Sequence, residues 1–178
     1  MAAVLLPQAE FAAALAALPL VSVDWVLSDP DGAVLTGLRL NTPARGSWFT
    51  PGGRVRKGEP LAEALMRVAV DELGASVASL LGGGWLGRAQ LMGAWDHFYS
   101  DSAFSESAAT HYVNLPHWLA LSWCEVAVLE GALPVGGQHS EWHWVSPSSA
   151  EVEVHAHVKP YLGWVADARH SAAKALTA

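Results

Sequence analysis

A single cysteine, Cys124, occurs in 178 residues, so no disulfide can form within one chain. That scarcity fits a reducing compartment, and a cytoplasmic protein is expected. Cys124 sits in the apolar stretch Leu121 to Val128, where a packed thiol is expected rather than a nucleophile. Basic residues are also few: ten Lys and Arg stand against seventeen Asp and Glu, for a net charge of −7. Nucleic-acid binding through counterion release needs a basic face, so no nucleic-acid partner is expected. A single phosphorylated ligand stays compatible, because a few arginines and a metal ion can reverse the local sign. No apolar run approaches the roughly 18 residues of a membrane span, so no membrane partner is expected either. Met1 to Leu20 is rich in alanine and leucine, but it lacks a basic start and is interrupted by Gln8, Glu10 and Pro19, unlike a signal peptide. Pro7 to Leu18 reads instead as a short amphipathic helix on the domain surface or in a subunit contact. The sequence shows no internal repeat, linker or low-complexity tract.

What is plentiful is apolar material. A hydrophobic share of 52% with only 15% charged residues argues for a folded chain. The length suits one domain spanning residues 1–178, large enough to bury roughly 70% of its unfolded surface. Nine tryptophans are many for this length. Some belong in the core, and exposed ones would be platforms for stacking rings.

Leu20 to Leu27 is rich in β-branched residues and reads as a strand. Asp29-Pro30-Asp31-Gly32 turns it into a second strand, Ala33 to Leu40. Asn41 to Gly46 is a loop, Trp48 to Thr50 a short extended piece, and Pro51-Gly52-Gly53 a break. A helix follows, with Pro60 in its first turn and Gly74 just beyond its end. Leu86 to Tyr99 and Thr110 to Trp123 read as two long strands. The polar segment Ser100 to Ala109 between them is too long for a tight hairpin and is a candidate functional loop. Glu141 to Val145 is another strand, and a C-terminal helix, Tyr161 to Ala175, is entered near Pro160 within residues 160–178. These elements imply an α/β fold, a mixed β-sheet sandwiched between helices.

The central helix carries an oddly placed acid. At 100° per residue, Leu61, Leu65, Val68 and Ala69 share one face, and Glu72 falls near its centre. A buried carboxylate needs a cation or strong donors; the other reading is a frayed helix end with Glu72 in water. The preceding Pro51-Gly52-Gly53-Arg54 favours the first, since it sets flexible backbone beside a basic residue where main chain must approach a ligand. A free carbonyl from this turn, the Glu72 carboxylate and phosphate oxygens would make a hard, all-oxygen site suited to Mg²⁺.

Gly53, Glu59, Arg67, Asp71, Glu72 and Gly74 fall at the ungapped spacing of the Nudix signature, and the chain resembles that family. Two positions depart: Val68 replaces the first helix glutamate and Asp71 another. The first loss weakens a multi-metal cage and leaves one ion on Glu72 as the expectation. Arg67, with Glu63 and Asp71 four residues away on either side, reads as an organiser of this modified box over residues 53–75 rather than a catalyst.

Within the family the chain is most similar to the GDP-mannose mannosyl hydrolase branch. The segments that carry this are 19–24, 48–55, 95–99, 110–113, 138–139 and 154–156, and the similarity runs from about Phe11 to Tyr161. The resemblance implies hydrolysis of a nucleotide sugar, GDP-mannose or GDP-glucose, to GDP and free sugar by attack of water at C1 with inversion. It implies one Mg²⁺ per site, with Mn²⁺ as a substitute, held by the Gly52 carbonyl, Glu72 and Gln138. It makes His139 the general base, a role suited to a group with a pKa near neutrality. Arg39 and Arg54 would stabilise the departing diphosphate, and Tyr112 would donate to a phosphate oxygen. Asp24 would bind sugar hydroxyls or stabilise positive charge at C1, with His97 facing the same cleft. A homodimer is also implied. Each residue has a plainer reading: Arg39 a solvated charge, Tyr112 a packing residue, Asp24 an edge-strand acid in water, His139 a polar loop histidine. Two further functions stay open, a pyrophosphatase attacking phosphorus with Asp71 recruiting a second metal, and a non-catalytic nucleotide-sugar binding domain.

Overall fold

Leu20–Ser28 forms strand β1, whose successive side chains leave on opposite faces of the sheet, both of them largely buried. Val23, Trp25 and Leu27 join a core with Ala64, Leu65 and Val68 of helix α2 (Leu61–Val68) and Val126 and Leu129 of helix α4 (Trp123–Glu130). Val26 joins a second core with Tyr161, Leu162 and Val165 of helix α5 (Lys159–Leu176). The sheet is thus covered on both faces, the layering expected from sequence. The computed structural model describes residues 7–80, 84–102, 109–148 and 152–176.

The remaining strands are β2 (Val34–Arg39), β3 (Trp48–Phe49), β4 (Gly52–Arg54), β5 (Gln90–Leu91), β6 (Trp95–Tyr99), β7 (Thr110–Ala120) and β8 (His139–Val145). They form one sheet of order β3-β2-β1-β7-β5, with β4 paired to β1, β6 to β7 and β8 to β2. Strands β1 and β7 run parallel from Leu20↔Tyr112 to Ser28↔Ala120, and the other pairs are antiparallel, so the sheet is mixed. Because β1 lies inside the sheet, the reading of Asp24 as an edge-strand acid in water is overturned.

Other expectations are corrected. Leu86 to Tyr99 is not one strand but a 3₁₀ turn at Leu86–Arg88 followed by β5 and β6, which are separated at Gly93 by a backbone φ of 130° that suits glycine. Strand β7 stops at Ala120, and helix α4 follows where extended chain was expected. Helix α2 gives way to a π-helical turn, Ala69–Leu73, and a further helix, α3 (Ala75–Leu80), follows Gly74. Gly52–Arg54 is a paired strand rather than a bare break. Leu61 is largely exposed, so the apolar face of α2 starts at Ala64 and Leu65. Cys124 is exposed on α4, not packed. Helix α1 (Gln8–Ala17) buries Phe11 and Leu15 against the body. Met1–Leu6 and residues 103–108 of the polar 100–109 segment lie outside the described residues.

Candidate active site

Strand β4 positions the first part of the site. Gly52 stands opposite Asp24 of β1. Trp25 N–H donates to the Pro51 carbonyl and Val55 N–H to the Val21 carbonyl. These bonds make Gly52 a non-hydrogen-bonded position of the ladder, so its own N–H and C=O face away from β1. The N–H is used by Glu72, whose Oε2 accepts from it at 3.1 Å. A side chain here is impossible, since a Cβ on Gly52 would stand 2.0 Å from Asp24 Oδ1.

The widened π-helical turn carries Glu72 inward, with 7% of its surface exposed. Its carboxylate is not orphaned: besides Gly52 N–H, Oε2 meets His139 Nε2 at 2.9 Å. Both bonds fall on the same oxygen. The frayed-end reading of Glu72 is therefore wrong. His139 opens strand β8 rather than lying in a loop, and it is 1% exposed. With Glu72 ionised, its Nε2 carries the proton of that bond. Its Nδ1 has no hydrogen bond and packs against Gly37, where a Cβ would lie 2.3 Å away. In this arrangement neither ring nitrogen is available to a water, and His139 orients Glu72.

A cleft of about 540 Å³ opens over these groups, lined among others by Gly52, Glu72, Asp71, Gln138, Arg39, Arg45, Arg54, Arg67 and Tyr112. A deeper recess of about 80 Å³ adjoins it, lined by Asp24, Thr50, His97 and Tyr99. Arg39, Arg54, Gly52 and Tyr112 line both and so stand at the junction. Arg39 Nε donates to the Pro43 carbonyl at 3.1 Å, and Arg54 lies 4.2 Å over the Phe11 ring of α1. Burial lowers the Arg54 pKa, while Tyr112 opposes that shift. Burial also raises the Tyr112 pKa, so its hydroxyl stays a donor. The concentration of guanidinium groups on an acidic protein marks an anion site. Arg45 was not anticipated.

Arg67 makes no use of Glu63, which is exposed. It binds Glu59 at 2.7 Å, the Arg54 carbonyl at 2.8 Å and Asp71 at 3.4 Å. Glu59 also accepts from Arg56 N–H at 2.8 Å, and its pKa is lowered chiefly by Arg67. Gly53 packs on Val68, where a Cβ would sit 3.1 Å from Cγ2. Gly74 closes the turn at φ 90°.

The recess is polar at its floor. Asp24 Oδ2 accepts from Asn114 Nδ2 at 2.8 Å, Tyr161 OH at 3.1 Å and Thr50 Oγ1 at 3.4 Å. Burial outweighs these donors and pushes its pKa up to about 7. His97 is 3% exposed and its pKa falls to about 3, first by burial and then by His157 and His155. It is a neutral ring, stacked on His157 at 4.2 Å. Asn114, Tyr161 and Thr50 escaped the sequence reading. Asn114 was not findable, because its strand face also carries Thr110, Tyr112, Pro116 and Trp118, a mixed set in which no alternation marks an inward polar position. Nor was Tyr161, since only folding brings α5 to β1. No tryptophan lines either space; the aromatic walls are Phe49, Tyr99 and Tyr112.

Could these residues hold a metal? Among the described residues no group of three His, Cys, Asp or Glu is arranged for one. Val68 is buried and apolar, and Asp71 is half-exposed on Arg67, so a multi-carboxylate cage is missing. The donors on the cleft are oxygens: the Glu72 carboxylate, the Gln138 amide, which now accepts from Asn41 Nδ2, and the outward Gly52 carbonyl. That set fits one hard divalent cation whose other ligands are phosphate oxygens and water.

The NUDIX domain family model matches residues 18–166. The low-salt glycan biosynthesis protein Agl8 of Haloferax volcanii is 36% identical over 157 residues, which is 88% of each chain. A MutT NUDIX hydrolase from Burkholderia pseudomallei superposes with TM-score 0.54 at 20% identity, over 83% of this chain and 98% of its own. The NUDIX domain of Shewanella oneidensis NrtR, solved with ADP ribose, gives 0.54 at 14% identity, over 91% and 98%. At these identities the two structures speak for the fold. Among the described residues, no helix is long and apolar enough to cross a membrane.

Proposed function

The chain belongs to the Nudix family, and from that premise we propose that it hydrolyses a GDP-sugar, GDP-mannose or GDP-glucose, to GDP and the free sugar. The observation that carries this reading is the joined pair of spaces: an arginine-lined outer cleft over Glu72 and Gln138, opening at Arg39, Arg54 and Tyr112 into a recess floored by Asp24 and His97. A diphosphate suits the first and a sugar's hydroxyls and C1 suit the second. The glycan-biosynthesis name of the relative from Haloferax volcanii agrees with a nucleotide-sugar substrate.

Mg²⁺, or Mn²⁺ in its place, held by Glu72, Gln138 and the Gly52 carbonyl, would neutralise diphosphate charge as the bond breaks. The diphosphate oxygen would keep the electron pair of the broken bond, Arg39 and Arg54 would stabilise the charge left there by donating hydrogen bonds, and Tyr112 would donate to a phosphate oxygen. The attacking water gives its oxygen to C1 and its proton to a base. His139 is assigned that base, on condition that its Nε2 separates from Glu72 and the ring's proton resides on Nδ1 instead; otherwise its part is to orient Glu72. Asp24, ionised, would stabilise positive charge at C1. The homodimer and the cytoplasmic location belong to the same proposal.

A second reading, attack at phosphorus, has one observation in its favour: Asp71 lines the same cleft as Glu72. A binding domain without turnover is a third. Turnover of GDP-mannose and GDP-glucose in ¹⁸O-labelled water with Mg²⁺ separates the three. Label in an inverted sugar is expected; label in a phosphate product would overturn attack at carbon, and absence of any product, GDP or labelled phosphate, would leave the binding domain.

A further inference from the structure

Tyr161 is fully buried at the start of α5, far in sequence from every residue discussed so far in the recess. Its ring packs edge-on to Trp95 at 5.3 Å. Its hydroxyl stands at the meeting point of three polar side chains from three strands. It contacts Asp24 Oδ2 of β1 at 3.1 Å, Asn114 Nδ2 of β7 at 2.5 Å, and His97 Nε2 of β6 at 3.0 Å. Asn114 is held in turn by Ser22, whose Oγ donates to Asn114 Oδ1 at 2.8 Å.

The proton count fixes the roles. A hydroxyl has one proton to give. Asn114 Nδ2 can only donate, so the Tyr161 oxygen accepts from it. With Asp24 ionised, the Tyr161 proton goes to Oδ2, and the remaining lone pair accepts from His97 Nε2–H. His97 is then held as the tautomer protonated on Nε2. Asp24 Oδ2 is saturated by Asn114, Tyr161 and Thr50. Its other oxygen, Oδ1, lies against Gly52 on the cleft side.

We propose that Tyr161, with Asn114, is a positioning residue that aims the Asp24 carboxylate and sets the ring and tautomer of His97 through one shared hydroxyl. This rests on the reading of the recess as the sugar subsite, but the hydroxyl's action on His97 is observable without substrate. The C-terminal helix thereby takes part in the site without touching the ligand. Tyr161→Phe removes the hydroxyl and keeps the ring on Trp95.

The test has three parts, all on the full chain. Wild type and Tyr161→Phe are compared for kcat and KM on the GDP-sugar that wild type turns over; a loss in kcat of roughly 10- to 100-fold with KM little changed is expected, the scale of small misplacements in a site. The substitution is repeated in an Asp24→Asn background, where groups acting as a unit lose far less than the product of their separate losses. Long-range ¹H–¹⁵N spectra of the His97 ring should show the Nε2–H tautomer in wild type and a shift of the tautomer balance in Tyr161→Phe. Unchanged kcat with an unchanged His97 spectrum would overturn the proposal, and so would fully multiplicative losses in the cycle. Should wild type turn over no GDP-sugar, that reading falls while the His97 spectrum still decides whether Tyr161 sets the tautomer. Should Tyr161→Phe fold poorly, Asn114→Ala in the same Asp24 cycle decides, with coupled losses supporting the network and independent ones overturning it.

Discussion

At the scale of single residues, the site turns on Glu72 Oε2 and its two donors, Gly52 N–H and His139 Nε2. Glutamine at position 139 can still donate to Glu72 but cannot act as a base. His139→Gln should therefore lower kcat by about 10²–10⁴-fold with KM little changed if His139 takes the proton. A variant within a few-fold of wild type, read by GDP release, would leave His139 only the task of orienting Glu72. Asp24 makes a different prediction. Its folded-state pKa of about 7 lies above the ordinary 3.8, because burial favours the protonated acid. The folded protein therefore binds a proton more tightly than the unfolded chain. Stability is lost as pH rises from about 4 to about 7 and then levels off. Asp24→Asn should raise stability by about 4 kcal/mol above pH 7 in metal-free buffer, with the gain vanishing near pH 4. Thermal melts across that range with a chelator present measure it; a flat difference would deny the buried acid. Turnover should fall in the same variant, since a charge costly to folding is kept for function.

The same scale shows what was legible in the site. Glu72 announced itself as an acid on an apolar face, and Gly52 and Gly53 as a place of close approach, because local periodicity and backbone freedom are written in neighbouring residues. The bond between His139 and Glu72 was not, since the two are 67 positions apart and meet only when β8 lies beside β2.

At the scale of elements, misreadings cluster where a local signal was overridden or overlooked. Ser122-Trp123-Cys124-Glu125 is a capping box: Ser122 Oγ accepts from Glu125 N–H, and the Glu125 carboxylate accepts from Ser122 N–H at 2.8 Å. The apolar residues around it read as a strand continuing β7, but the cap starts helix α4 instead. Ser122→Ala should cost about 1 kcal/mol, within roughly 0.5–2 kcal/mol, seen as a lower denaturant midpoint with kcat unchanged. No change in stability would show that packing of Val126 and Leu129, and not the cap, holds the helix start. The central helix shows the opposite case. Its pattern placed Leu65, Val68 and Ala69 on the buried face but included the exposed Leu61, and the π-helical turn at Ala69–Leu73, from which Glu72 reaches Gly52 N–H, is contained in no spacing rule.

At the scale of the whole molecule, helices on both faces close the sheet, while Leu18 and Val21 at the α1–β1 junction stay open at 62% and 42%. A homodimer is the proposed state, and light scattering should give about twice the 18.8 kDa chain mass; a monomer at micromolar concentration would overturn it. By itself the sequence determined the layered α/β class, the order of the main strands and helices, the modified box from Gly53 to Gly74 and its lone inward carboxylate. Each of these is encoded by periodicity, turn residues or short fixed spacing, which act within a few residues. Only the tertiary structure decided that Asp24 is interior, that the Asn114 and Tyr161 side chains bind its carboxylate, and that His139 is sealed against Gly37. Those facts depend on the parallel pairing of β1 with β7 and on α5 folding back across them, contacts between residues some 90 to 140 positions apart that no local pattern specifies.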